Sequence, residues 1–140
     1  MMNLLTKEWN NGKDAGILLL RFMLGFFLVY NHGWGKLSVI FSGQEIQFMD
    51  PIGIGASLSY YLAAFAEGIA GLLILIGLFT RPAAIMLIIN FMVIIYFHTT
   101  MGDKILGLEL QLFFLLGFAT LLISGPGKFS LDSKLFAKEK

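Results

Sequence analysis

Apolar residues fall into four blocks separated by short polar or glycine-containing stretches. Each block is close to the length of about 20 residues that an α-helix needs to cross a bilayer core of about 30 Å. The blocks predict helical spans over 15–33, 58–79, 83–98 and 105–123. Between the first two lies the one long connection, 36–57, which carries Gln44, Glu45, Gln47, Asp50 and Pro51 and ends in Gly53-Ile54-Gly55. A connection of that length without regular structure is often a functional lid, and Glu45 to Met49 could add a short surface helix. The other breaks are tighter. Thr80-Arg81-Pro82 predicts a turn with Pro82 at the first position of the next helix, where its missing N–H costs nothing. Thr99 to Lys104 is a polar turn, and Ser124-Gly125-Pro126-Gly127 ends the last helix, leaving a lysine-rich aqueous tail over 124–140. No internal repeat aligns across the spans.

The expected fold is therefore all-α, a single transmembrane domain of four helices covering 1–140. Of its 140 residues, 57% are hydrophobic and 14% charged, with a mean hydropathy of +0.80, well outside the usual range of a water-soluble domain. The first span must tolerate Arg21. Ten Leu, Ile, Phe and Val residues between Ile17 and Val29 favour insertion by about 0.3–0.6 kcal/mol each, against about 3 kcal/mol for the arginine, so the span still inserts. Lys7, Glu8, Lys13 and Asp14 precede that run and no small-residue cleavage site follows, which reads as a retained span and not a signal peptide.

Charge then gives an orientation. Lys7, Lys13, Arg81, Lys128, Lys134, Lys138 and Lys140 fall on one side and Lys36 and Lys104 on the other, which predicts both termini in the cytoplasm and a bacterial plasma membrane as the setting. The net charge of +1 carries no basic, aromatic-rich face, so nucleic acid is not an expected partner. The absence of cysteine excludes disulfides, thiolate nucleophiles and sulfur-ligated zinc. Trp9, Tyr30 and Trp34 read as anchors at the membrane interface.

Ionisable residues inside apolar segments carry the candidate chemistry, because each is costly in lipid and normally turns toward a partner. Glu67 lies beside Ala64, Gly68 and Gly71, a small-residue stripe that lets a second helix approach, so it faces protein. Arg21 and Glu67 are expected about one helical turn apart in depth and to form an ion pair. His32, Lys36, His98 and Glu109 enter from the other end, and are expected to converge there as a ligand-binding or proton-handling group. Set against these readings is a purely structural one, in which buried ion pairs only fix packing. No metal site is expected: the Glu-x-x-His pairs of carboxylate-bridged bundles do not occur. Haem held between His32 and His98 is disfavoured, since two histidines coincide easily in a short chain. A quinone is the cofactor that a Phe-rich interior with polar side chains could hold.

The order of motifs resembles the DoxX family of small four-span membrane proteins. It rests on Arg21-x3-Gly25, Gly33-x2-Lys36, Phe65-Ala66-Glu67-Gly68 with Gly71, and the run from Leu75 through Gly77, Phe79-Thr80-Arg81-Pro82 to Ala84. Glu109, Gly125-Pro126-Gly127 and Ser130-Leu131-Asp132 complete the pattern, which spans about residues 15 to 132. The resemblance implies a four-helix bundle and a link to membrane redox chemistry, because relatives include the DoxD-like subunit of thiosulfate:quinone oxidoreductase and proteins of oxidative and thiol stress. Three functions follow as expectations: a membrane subunit of a quinone-linked or stress-related oxidoreductase, acting with a soluble redox partner; a non-catalytic anchor for such a partner; or a small-solute or proton-coupled transporter, which four short spans permit only if the chain oligomerises.

Overall fold

The computed structural model describes residues 9–136, all of whose regular structure is helical. Lys7, Lys138 and Lys140, counted above toward the orientation, lie outside the described residues. Helix α1 comprises Gly12–Leu28, a π turn at Val29–Gly33 and Trp34–Ser42 without interruption. Helix α2 comprises Ala56–Ala64, a π turn at Phe65–Ala70 and Gly71–Ile76. Helix α3 is Thr80–Thr100, α4 is Glu109–Ser124 after a 3₁₀ turn at Ile105–Gly107, and a short α5 covers Leu131–Phe136. The four long helices pack in a closed ring, α1 on α2, α2 on α3, α3 on α4 and α4 on α1. Ala56–Ile76 and Thr80–Thr100 are each long and apolar enough to cross a membrane, and Glu109–Ser124 is apolar but shorter.

Around Leu28, Ile74 and Leu87 the inside of the ring is small and tightly filled. Leu24, Leu28, Ala70, Ile74, Ala84, Leu87, Phe118 and Leu121 form its core, with Phe114 stacked on Phe91 of α3 and on Phe118, and Phe91 tilted against Phe118. Large apolar side chains are instead displayed outward, Leu19, Phe113, Leu116 and Ile123 among them. A water-soluble bundle hides that stripe, whereas lipid solvates it at no cost. Glycines set the closest approach. A methyl on Gly33 would lie 2.6 Å from the Glu67 carbonyl oxygen and Gly68 Cα, and one on Gly25 would lie 2.8 Å from Leu75. The small-residue stripe beside Glu67 is thus the α1–α2 contact.

Two elements differ from expectation. The connection begins later, at Gly43, because Leu37, Val39, Ile40 and Phe41 continue the apolar helix past Lys36, until Gly43 at φ 68° caps it; no helix forms over Glu45 to Met49. Lys36 is therefore a helix residue and not part of a loop. The segment after α4 does not leave the fold either. Gly125 and Gly127, both with positive φ, turn the chain back across the end that carries both termini, where Ser130 is buried and the Asp132 amide donates to the Gly77 carbonyl at 2.8 Å.

Candidate functional site

The ring holds two buried charged groups, one near each end. At the end bearing the termini, Arg21 sits on the inner face of α1 and is only 2% exposed. Its Nε donates to the Ile74 carbonyl (3.1 Å), which also takes the Gly77 amide (3.2 Å), and Nη2 to the Leu75 carbonyl (3.3 Å), both in the last turn of α2 where helical partners run out. Nη1 donates to the carbonyls of Pro126 (2.8 Å) and Phe129 (2.9 Å) in the segment that folds back. The guanidinium also sits where the negative end of the α2 dipole favours a cation. Gly77 makes room for it: at φ 71°, a methyl there would lie 2.6 Å from Arg21 Cζ.

The expected ion pair between Arg21 and Glu67 is not formed. Glu67 pairs with Lys36, whose Nζ lies 2.5 Å from Oε2. The reason is depth. Fifteen residues separate Arg21 from Lys36 on one continuous helix, about 22 Å of rise, and Glu67 stands level with the latter.

At this second end, the one bearing the α1–α2 loop, the two π turns meet. A π turn widens a helix by one residue and often marks a functional position. Here Val29–Gly33 packs against Phe65–Ala70, placing His32 and Lys36 on α1 beside Glu67 on α2. Asn90 on α3 donates through Nδ2 to the other carboxylate oxygen, Oε1, at 3.2 Å. The Glu67 side chain is 5% exposed and that of Lys36 20%, so the carboxylate is enclosed while the ammonium reaches open space. Lys36 Nζ also approaches the His32 carbonyl at 3.4 Å, and Tyr60 donates its hydroxyl to the Lys36 carbonyl at 3.2 Å.

That open space is a cavity of about 490 Å³. His32, Lys36, Ser59, Glu67, Asn90, His98 and Gln111 supply its polar lining, and Ala63, Ala66, Phe91, Ile94 and Phe114 much of the apolar remainder. His32 meets Phe114 edge-on at 6.4 Å. His98 lies at the loop end of α3 with Nδ1 2.8 Å from Asp103 Oδ2, a contact that orients the ring. Residues of the α1–α2 connection cover the same end: Phe48 packs edge-on against Tyr60 at 5.2 Å, and Asp50 accepts from the amides of Ile54 (2.9 Å) and Gly55 (3.0 Å).

Of the six residues singled out from sequence, the cavity therefore gathers His32, Lys36, Glu67 and His98. Arg21 lies at the opposite end. Glu109 does not join them: as the first residue of α4, it is exposed and outside the lining, since the 3₁₀ turn at Ile105–Gly107 starts the helix later than expected. Asn90 and Gln111 belong to the site although neither carries a charge that would single it out; their signal is that each is an amide inside an apolar helix.

Residues 16–100 match the family model described as DoxX, a stretch that includes Arg21, both π turns, the cavity floor and all of α3. The inner membrane protein YqjF of Escherichia coli (strain K12) is 28% identical over 129 residues, covering 90% of this chain and 96% of YqjF. No solved structure matches. The outward apolar surface and this kinship make the chain an integral protein of the bacterial plasma membrane, and with more than half of its length matched by the family model, it belongs to the DoxX family.

Proposed function

We propose that the chain crosses the membrane four times with both termini in the cytoplasm, and that it serves as a membrane subunit of a quinone-linked oxidoreductase system in which the cavity receives the quinone head group. The observation that carries this reading is the Lys36–Glu67–Asn90 cluster bordering a cavity of about 490 Å³, within the range of small-molecule sites. The residues suit a quinone. Its two carbonyl oxygens need donors, and Lys36 Nζ and Asn90 Nδ2 are donors that now share one carboxylate. Phe91 and Phe114 offer aromatic faces to a planar ring.

A bound quinone would supply the electron-accepting chemistry that this cysteine-free chain does not carry itself. The chain's own part is to position and to move protons. Glu67, enclosed and paired with Lys36, is left as a proton acceptor beside the cavity when Lys36 turns toward a ligand oxygen. His98, held by Asp103 at the edge of the cavity, stands between it and the surface at the loop end.

The test is binding of decylubiquinone to purified protein in nanodiscs. Saturable binding in the wild type, weakened about tenfold or more by Glu67→Gln and by Lys36→Met, supports the reading. No saturable binding overturns it. A Glu67→Gln variant that folds normally and leaves the activity of a soluble redox partner unchanged would favour the anchor function instead. The orientation is read separately. The chain has no cysteine, so single cysteines at Lys13 and Asp103 can be labelled in whole cells with a membrane-impermeant maleimide; Asp103→Cys should react and Lys13→Cys should not.

A further inference from the structure

Several residues lining the cavity belong equally to the outer surface of the bundle. Leu62 on α2 is 54% exposed, and Met86 and Ile89 on α3 are 38% and 57% exposed, yet all three line the cavity. Side chains that face both ways mark an opening, and this one lies between α2 and α3, on the flank of the bundle. Its cause can be read from the packing. Toward the turn at Gly77, the two helices close on each other through Ala70, Ile74, Ala83, Ala84 and Leu87. Beyond that level, with Leu62 at the rim and Glu67 on the floor, the inner face of α2 carries Ser59, Ala63 and Ala66, which are too small to fill the gap to α3.

The opening is apolar, whereas the charged and amide groups stand deeper, on α1, α2 and the inner face of α3. The route from the loop end is the more obstructed one. Asp50 ties the connection to the start of α2 through the amides of Ile54 and Gly55, and Phe48 is packed on Tyr60. A ligand arriving from water would have to pass that covered end, while one arriving from lipid meets the apolar side chains of Leu62, Met86 and Ile89 before the polar floor.

We propose that the cavity is loaded sideways from the bilayer through the gap between α2 and α3, and that its ligand is an amphiphile with one flexible apolar chain, which rests against Leu62, Met86 and Ile89 while the head group reaches Lys36, Glu67 and Asn90. This rests on the head-group site proposed above and adds to it the entry route and the tail.

The experiment uses the full chain in nanodiscs with two probes that share one head group, ubiquinone-0 without a tail and decylubiquinone with one. Ile89→Trp places an indole across the gap. It should weaken decylubiquinone binding about tenfold while changing ubiquinone-0 by less than about threefold, because the head-group floor is untouched. Met86→Trp should do the same, which keeps the test open if one variant unfolds, and thermal unfolding identifies such a variant. Leu116→Trp, on the outward face of α4 and remote from the gap, should leave both probes unaffected and controls for partition of the tail into lipid. If both tryptophan variants at the gap bind the two probes as the wild type does, or lose both equally, lateral entry is wrong and the head-group reading stands. If the wild type binds neither probe, the head-group reading fails and this one fails with it.

Discussion

Arg21 and the Lys36–Glu67 pair meet the same difficulty, a charge inside an apolar bundle, in opposite ways. The arginine is enclosed by backbone: four carbonyls from α2 and the returning segment take its N–H groups, and none of them can move without unwinding a helix end or a turn. Lysine and glutamate meet through side chains beside a cavity, where a rotation about either stem exchanges one partner for another. The chemistry of each group suits its place. A guanidinium presents a planar fork of donors and does not deprotonate, whereas an ammonium is a mobile point charge on a flexible stem. The first arrangement closes one end of the ring, and the second leaves the other end able to respond to a ligand.

The largest expected effect breaks the rigid end. Arg21→Leu leaves the carbonyls of Leu75, Pro126 and Phe129 without this donor and Ile74 with the Gly77 amide alone, at about 1–3 kcal/mol for each that water cannot reach, so a loss of about 3 kcal/mol or more is expected. Arg21→Lys keeps the charge but cannot span four acceptors in one plane, and should recover only part of that. Thermal unfolding in detergent checks both, and a variant Arg21→Leu that melts with the wild type would show that the carbonyl cage contributes nothing.

Next comes the seam that holds the flexible end together. Gly33→Ala puts a methyl 2.6 Å from the Glu67 carbonyl and Gly68 Cα, backbone atoms that cannot yield as a side-chain tip can. Overpacking of this kind costs about 1–3 kcal/mol, and the displaced π turn carries Glu67 with it. Decylubiquinone binding should therefore fall along with the melting temperature. Gly35→Ala, two residues on with open space around it, should change neither.

These two ends were unequally legible in the sequence. The α1–α2 seam could be read from Gly68 and Gly71 beside Glu67, because small residues at helical spacing have one common use in a membrane bundle. The break after Ser124 followed from glycine and proline alone. The partner of Arg21 could not be read. Backbone carbonyls leave no trace in a list of side chains, and the contacts with Pro126 and Phe129 join residues more than a hundred positions apart. Lysine and serine interrupt the apolar pattern at Lys36, which reads as the start of a loop, although Leu37 to Phe41 resume the pattern. Once Lys36 is helical, its ammonium falls level with Glu67. The π turns have no sequence signature at all, and they bring His32 and Glu67 to the same level.

The cavity cluster itself should be thermodynamically mild. Removing one partner of a fully enclosed ion pair is costly, but each member here has an escape: Lys36 can extend toward the cavity, and Glu67 can take up a proton. Glu67→Gln and Lys36→Met are each expected to cost about 1–2 kcal/mol, well below Arg21→Leu. The double variant should cost less than the sum of the two, and thermal unfolding of all four proteins measures that coupling. Strict additivity would mean that the pair holds nothing together.

The smallest expected effect returns to the end bearing the termini and asks how far the two ends are independent. Asp132 Oδ1 and Oδ2 accept from the amides of Phe79 (2.7 Å) and Thr80 (2.9 Å), supplying from the returning segment the cap that α3 lacks in its own sequence. An N-terminal cap is worth about 1 kcal/mol, so Asp132→Ala should lower stability by about that much, and Asp132→Asn, which keeps one acceptor oxygen, by less. Phe79 itself is in the left-handed region at φ 47°, and loss of the cap releases that turn first. Nothing in this contact reaches the cavity, whose floor lies on the π turns and on Asn90. Decylubiquinone binding by folded Asp132→Ala should accordingly match the wild type within about twofold. A larger change would mean that the capped turn between α2 and α3 also sets the width of the gap through which the cavity opens, and that the two ends act as one.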